Sequence, residues 1–413
     1  MKGWSCFRKA SLAQAAGWAL FVCLLAACHS APPAPAGQLT LTAPGSTALP
    51  PGPLPSITAP AQADPPGPAS STPTPQAAQP AESVPSPSPQ PTVVSSEPAA
   101  AERAPLQYPA WYLVQALAWS PDGSLLAVSA GEKIYIYATA DMAQRQVLET
   151  GVWASRLAFQ PQGPDGRGVL AFGGTDGSLQ FWDVSSGERI CALQAHRHGT
   201  NSLDFRPDGQ VLASSGNDAM LRLWDVSALA APGGAEPGTC PVTELAEMIG
   251  GAYGVPAVAF SPDAALVAAA DGQDIRLRDP ATQRLDRTLR GESSMFALAF
   301  SPNGSLLAAG EMRSTVRVWD VQTNETLLAL SPPAAARVFI WSLAFSPDGS
   351  WLAAGGSDGW VRLWEMPSGR LAYAARLHAG GVSTLAFSPD GRLLASGGLD
   401  AVVNFTLTDT MTK

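Results

Sequence analysis

The sequence predicts an all-β chain of seven similar four-stranded units behind a long unfolded lead-in, and three observations predict it. A strand-and-turn motif recurs seven times. Its turn prolines, Pro121, Pro161, Pro207, Pro262, Pro302, Pro347 and Pro389, fall 40, 46, 55, 40, 45 and 42 residues apart, a period that marks repeated units of a few strands each. Prolines also crowd residues 32–105 whereas aromatics largely follow them, which fits one tail and one domain. From residue 106 to the end there are 308 residues, or 44 for each of seven units, the length of a four-stranded blade.

The motif is clearest at Leu343, Ala344, Phe345, Ser346, Pro347, Asp348 and Gly349. Large residues alternate with small ones, the period of two of a strand covered on both faces. Serine then suits the first position of a type I turn, proline presets φ at the second and glycine fits the fourth. Copies occupy 117–123, 157–166, 203–209, 258–264, 298–304, 343–349 and 385–391.

Ahead of the repeats, residues 1–27 read as an export signal: Lys2, Arg8 and Lys9 precede an apolar run around Trp18 to Leu25 that is too short to span a bilayer. Leu25-Ala26-Ala27-Cys28 resembles the bacterial lipobox, which implies cleavage before Cys28 and a lipid on that cysteine; the alternative is an ordinary signal peptide cut near Ala27. The expectation is an extracytoplasmic protein held to a membrane by Cys28, and several acyl chains suffice for stable anchoring. Residues 28–104 are Pro, Ala, Ser and Thr with few charges. Such a segment buries too little to fold and favours extended polyproline II, a semi-stiff tether for the domain at 105–413.

Within that domain, Leu221-Arg222-Leu223-Trp224-Asp225, Phe181-Trp182-Asp183, Val316-Arg317-Val318-Trp319-Asp320 and Val361-Arg362-Leu363-Trp364-Glu365 resemble the ending of the WD40 repeat. The resemblance implies a closed seven-bladed β-propeller, with strands a to d running outward in each blade. The family's stabilising tetrad maps completely only onto the third blade, as His196, Ser214, Asp218 and Trp224. The seventh keeps His378, Ser396 and Asp400 but has Thr406 in place of tryptophan. Gly131, Gly272 and Arg313 stand where blades one, four and five would carry the aspartate, so those blades are expected to rely on apolar packing. The last repeat ends after its third strand, and the stretch around 103–108 is expected to supply the fourth, since an open edge invites association. A long third interval, 231–238, is loop chemistry. Cys240 ends that loop and Cys191 begins strand d of the previous blade, the two being either a disulfide or two free thiols.

Little here suggests catalysis. Asp122, Asp208, Asp263, Asp348 and Asp390 recur at one place in each unit, so they form a wide ring and read as turn residues. No phosphate loop, nucleophile triad or zinc-type Cys/His spacing is present, and no cofactor or metal is expected. Formal charge is −9 overall, and the three bases before Cys28 leave −12 beyond it, which argues against nucleic acid. On the repeat alignment, Trp111, Tyr112, Trp153, Tyr253, Phe296, Phe339 and Trp341 gather where the d–a loops emerge, with Met312 and Ser357 just before the b–c turns. Phe296, Met312, Phe339, Trp341 and Ser357 fall on adjacent blades five and six and form the candidate binding patch, although part of it could tuck into the blade interfaces. The expectation is a monomeric, non-catalytic scaffold for protein partners. The alternative, an enzyme or carrier with a ligand or metal in the central channel, would need His, Arg or acids at the inner strand ends, where the sequence shows mainly alanine and glycine.

Overall fold

The computed structural model describes residues 103–411 apart from 162–167, 231–238, 251–253 and 332–337. Cys28, the export signal and nearly all of the tether lie outside the described residues, as does Tyr253. Among the described residues, strands make seven four-stranded antiparallel sheets, each in simple sequence order save the last. These are the blades: 114–149, 154–194, 200–249, 258–290, 295–330, 340–376 and 382–407. The last one takes its outermost strand from the other end of the domain: Leu106–Gln107 pairs antiparallel with Val402–Leu407, Leu106 opposite Val403. Tyr108 N continues that edge by donating to the Ala401 carbonyl.

Alternation within each strand sends one set of side chains to each neighbouring blade, so the apolar core is divided into seven parts between blades. Ile134 and Ile136 of blade one meet Leu170 and Phe172 of blade two, and the pattern repeats round the ring. Between the last blade and the first, Val403 and Phe405 pack with Leu126 and Val128. Trp119 Nε1 also donates to the Ala386 carbonyl at 3.2 Å, and closure is therefore both apolar and hydrogen-bonded.

The recurrent turn is built as its residues require. In blade six Gly349 N donates to the Ser346 carbonyl at 2.8 Å, with φ of 74° at Gly349. Ser346 Oγ accepts from Trp351 N, and Asp348 accepts from Ser350 N. These turns touch around one end of the ring: positions for a Cβ on Gly304, Gly349 and Gly391 lie 3.5, 3.5 and 3.6 Å from Pro262, Pro302 and Pro347 of the preceding blade. The domain thus has a turn end, carrying the a–b and c–d connections, and a loop end, carrying the d–a and b–c connections.

Candidate interaction face

Near the loop end, the innermost strand of six blades contains one unpaired residue. Register slips between Val114 and Ala116, Ala154 and Arg156, Thr200 and Ser202, Met295 and Ala297, Ile340 and Ser342, and Val382 and Thr384. The bulged residues are Gln115, Ser155, Asn201, Phe296, Trp341 and Ser383, and a bulge re-aims its side chain out of the sheet pattern. In three blades that side chain sews the ring together. Ser155 Oγ donates to the Thr200 carbonyl at 2.6 Å, Asn201 Nδ2 to Val255 at 3.3 Å, and Ser383 Oγ to Val114 at 2.5 Å, each the same backbone position of the next blade.

Blades five and six place Phe296 and Trp341 at this position instead, and neither makes that bond. Phe296 meets Phe339 edge to face, centroids 6.0 Å apart and planes at 90°. Phe339 N donates to Ser357 Oγ at 3.1 Å, and Ser357 N donates back to the Phe339 carbonyl at 2.9 Å. The Trp341 ring lies against Gly381 beside Ser357; a Cβ on Gly381 would fall 2.2 Å from it, so glycine is needed there. Met312 N donates to the Ser294 carbonyl, two residues before Phe296. Phe296, Met312, Phe339, Trp341 and Ser357 are all half-buried, neither swallowed by the interfaces nor fully free. Trp111, on the d–a loop entering blade one, is 71% exposed and stacks edge-on against Tyr112. Trp153 is half-buried in blade two, away from the pair of blades just described.

Beneath this face, blade three holds a complete polar relay. Trp224 Nε1 donates to Ser214 Oγ at 2.8 Å, Ser214 bonds His196 Nε2 at 2.8 Å, and His196 Nδ1 bonds Asp218 at 2.9 Å. Burial pushes the His196 pKa down despite the carboxylate, so the ring is neutral, with Nδ1 as donor and Nε2 as acceptor. Burial alone would raise the Asp218 pKa, but bonds from His196, Arg222 and the Arg197 amide hold it below the usual range. In blade seven His378 bonds Asp400 at 3.0 Å and Ser396 at 2.9 Å.

The expectation that blades four and five rely on apolar packing is corrected. Both keep an acid–arginine pair, moved by a few residues. Glu311 ends strand b where blade three has Gly216, and Gly291 stands where blade three has His196. The carboxylate fills the space the imidazole fills elsewhere: a Cβ on Gly291 would fall 2.6 Å from Glu311 Oε1, and one on Gly216 would fall 2.5 Å from the His196 ring. Arg317, at the Arg222 position, donates to Glu311 at 2.8 Å, and Glu311 is 1% exposed. Asp271 pairs with Arg276 at the corresponding positions of blade four, nearer the surface.

A second correction concerns the channel, where the inner strands are not uniformly small. Arg156 of blade two and Asp204 of blade three line it. The Asp residues of the recurrent turns, in contrast, stay bound to their own turns, as Asp122 is to Ser120 and Ser124. His198 lies in the loop entering blade three. Cys191, on strand d of blade two, is bonded to Cys240, with Cα atoms 5.1 Å apart. Among the described residues no cluster of His, Cys, Asp and Glu is arranged to hold a metal ion, and no helix is long and apolar enough to cross a membrane.

Seven antiparallel blades closed by the first strand, with a half-buried aromatic face on the loop end, define a β-propeller of the repeat type. The WD domain, G-beta repeat family matches four stretches of it, residues 187–225, 283–320, 333–365 and 372–405, the first, second and fourth crossing from one blade into the next. An uncharacterized WD repeat-containing protein of Schizosaccharomyces pombe is 34% identical over 84 residues, 20% of this chain and 14% of that protein. A p21-activated protein kinase-interacting protein 1-like protein of Danio rerio is 31% identical over 86 residues, 21% of this chain and 22% of that protein. The chain therefore spans a small part of the length of these relatives.

Proposed function

We propose that this protein is a lipid-anchored, extracytoplasmic, non-catalytic scaffold that binds a protein partner on the loop end of blades five and six. One observation carries the reading. At the bulge where three other blades place a stitching hydroxyl or amide, these two adjacent blades place Phe296 and Trp341. The ring gives up two inter-blade bonds of about 1 kcal/mol each and gains neighbouring aromatic surface, the composition of interface hot spots. Propellers of WD repeats commonly mediate protein interactions, and the name of the Danio rerio relative describes an interaction with a kinase. The lipobox-like Leu25-Ala26-Ala27-Cys28 and the Pro-rich 28–104 supply the anchor and tether in this reading.

The test places a photo-crosslinking amino acid at Phe296 or Trp341 in intact cells, with Asp208 on the turn end as control. A discrete adduct is expected from the first two sites and not from the control. The double variant Phe296→Ala, Trp341→Ala, folded by circular dichroism, should lose that partner. A partner retained in full by the double variant overturns the site. The anchor is checked separately: Cys28→Ala should abolish incorporation of labelled fatty acid.

A further inference from the structure

The channel carries two ionisable groups that the interaction face does not use. Register places Arg156 level with Ala116, Ser202, Ala297, Ser342 and Thr384 of other blades. Asp204 is more distinctive. At its level the remaining blades carry Ala118, Ala158, Ala259, Ala299, Ala344 and Ala386. Two charged side chains on neighbouring blades thus interrupt an otherwise small-residue wall.

Ring closure does not account for them. Where the channel wall needs a side chain to satisfy a backbone amide of the next blade, a hydroxyl does it: Ser342 Oγ accepts from Leu385 N at 2.9 Å, and Thr384 Oγ1 accepts from Leu117 N at 3.3 Å. Asp204 Oδ2 performs the same service for Phe260 N at 2.7 Å. The Phe205 amide also bonds this carboxyl, and an acid with two oxygens and about four lone-pair sites has room for a further donor. Arg156 donates through Nη1 to the carbonyl of its own neighbour Ser155 at 2.8 Å, and among the described residues it has no carboxylate partner. A guanidinium has five donors, so most of them remain to be used. Burial pushes its pKa down, and pushes that of Asp204 up to about 7, while both residues stay half-buried and open to the channel.

Both residues border the same cavity of about 370 Å³, whose wall also includes Ser202, Ser342 and Thr384. That is the size of a small-ligand site. Along the strand the two groups differ by two residues, roughly 7 Å of rise, within reach of a single small molecule given the length of the arginine. We propose that the channel binds a small carboxylate carrying a hydroxyl or ammonium group, its carboxylate on Arg156 and its donor on Asp204. Arginine matches a carboxylate with paired N–H groups, and the acid selects against ligands that lack a donor.

Isothermal titration calorimetry on the full-length protein, with lactate, alanine, acetate and inorganic phosphate as probes, tests this. Lactate or alanine should bind at one saturable site, and acetate about tenfold more weakly, the worth of one charge-assisted bond. Arg156→Gln should weaken the bound probe by about tenfold or more, and Asp204→Asn should remove its advantage over acetate. The proposal is overturned if neither lactate nor alanine binds, if Arg156→Gln binds them unchanged, or if phosphate binds more tightly than both. Should Arg156→Gln fail to fold, the wild-type chain decides. Saturating lactate or alanine must slow phenylglyoxal modification of Arg156, read by mass spectrometry, and equal rates with and without them reject the site.

Discussion

Several polar side chains inside this ring have a local reason, and substitutions separate those reasons. Trp224 and Trp364 are both buried on strand c, yet only Trp224 has a hydroxyl beneath its indole, because Ala354 stands where blade three has Ser214. Trp224→Phe should therefore cost about 1 kcal/mol more than Trp364→Phe in denaturant unfolding, the worth of the lost bond. Asp204 and His196 should respond to pH in opposite senses. The folded-state pKa of Asp204, about 7, lies above its ordinary 3.8, so the folded chain binds the extra proton between those values. Its charge costs stability above pH 7, and the cost fades as pH falls toward 4. Asp204→Asn, which keeps an acceptor for Phe260 N, should raise stability by on the order of 2 kcal/mol at pH 8 and not at pH 4, as measured by thermal unfolding across pH. His196, depressed below 6.5, contributes stability present above that pH and lost as pH falls through it.

The strands and their ends show how much was legible beforehand. Seven copies of one motif revealed seven blades because turn chemistry is local: Ser346, Pro347 and Gly349 each answer a φ or hydrogen-bond demand within four residues. The face on blades five and six was visible as aromatics the strand period did not explain. What made them distinctive was not visible, since a bulge is a relation between two strands and only the pairing shows that Phe296 and Trp341 occupy the position of Ser155 and Ser383. Glu311 was missed for a related reason. Its counterpart in the alignment is a glycine, and only packing reveals that Gly291 vacates the space into which the carboxylate turns. Arg156 and Asp204 do not stand out in the sequence because the common residue at their strand positions is small and each is an exception in a single blade. Glu311→Ala should destabilise by about 3 kcal/mol, because it leaves Arg317 buried without its inner partner, whereas Glu292→Ala, which removes a partner 74% exposed, should cost under about 1 kcal/mol. Equal losses in chemical denaturation would refute the distinction.

The closed ring makes the two ends of the domain one mechanical unit. Removing residues 103–108 takes away Leu106 and Tyr108 from the cluster between blades seven and one and bares the edge of the last strand. Calorimetry should then show a melting temperature lowered by several degrees, with increased self-association. The lead-in also has a direction. It runs up the outside of the last blade from the turn end, where Arg103 bonds the Thr139 carbonyl in the c–d connection of blade one, to the loop end, where Tyr108 N meets Ala401. The same routing decides where a pull would act. Among the described residues Leu106–Gln107 is the shortest strand and the one that closes the ring, so a pull applied at Arg103 loads the seam between blades seven and one before the other blades.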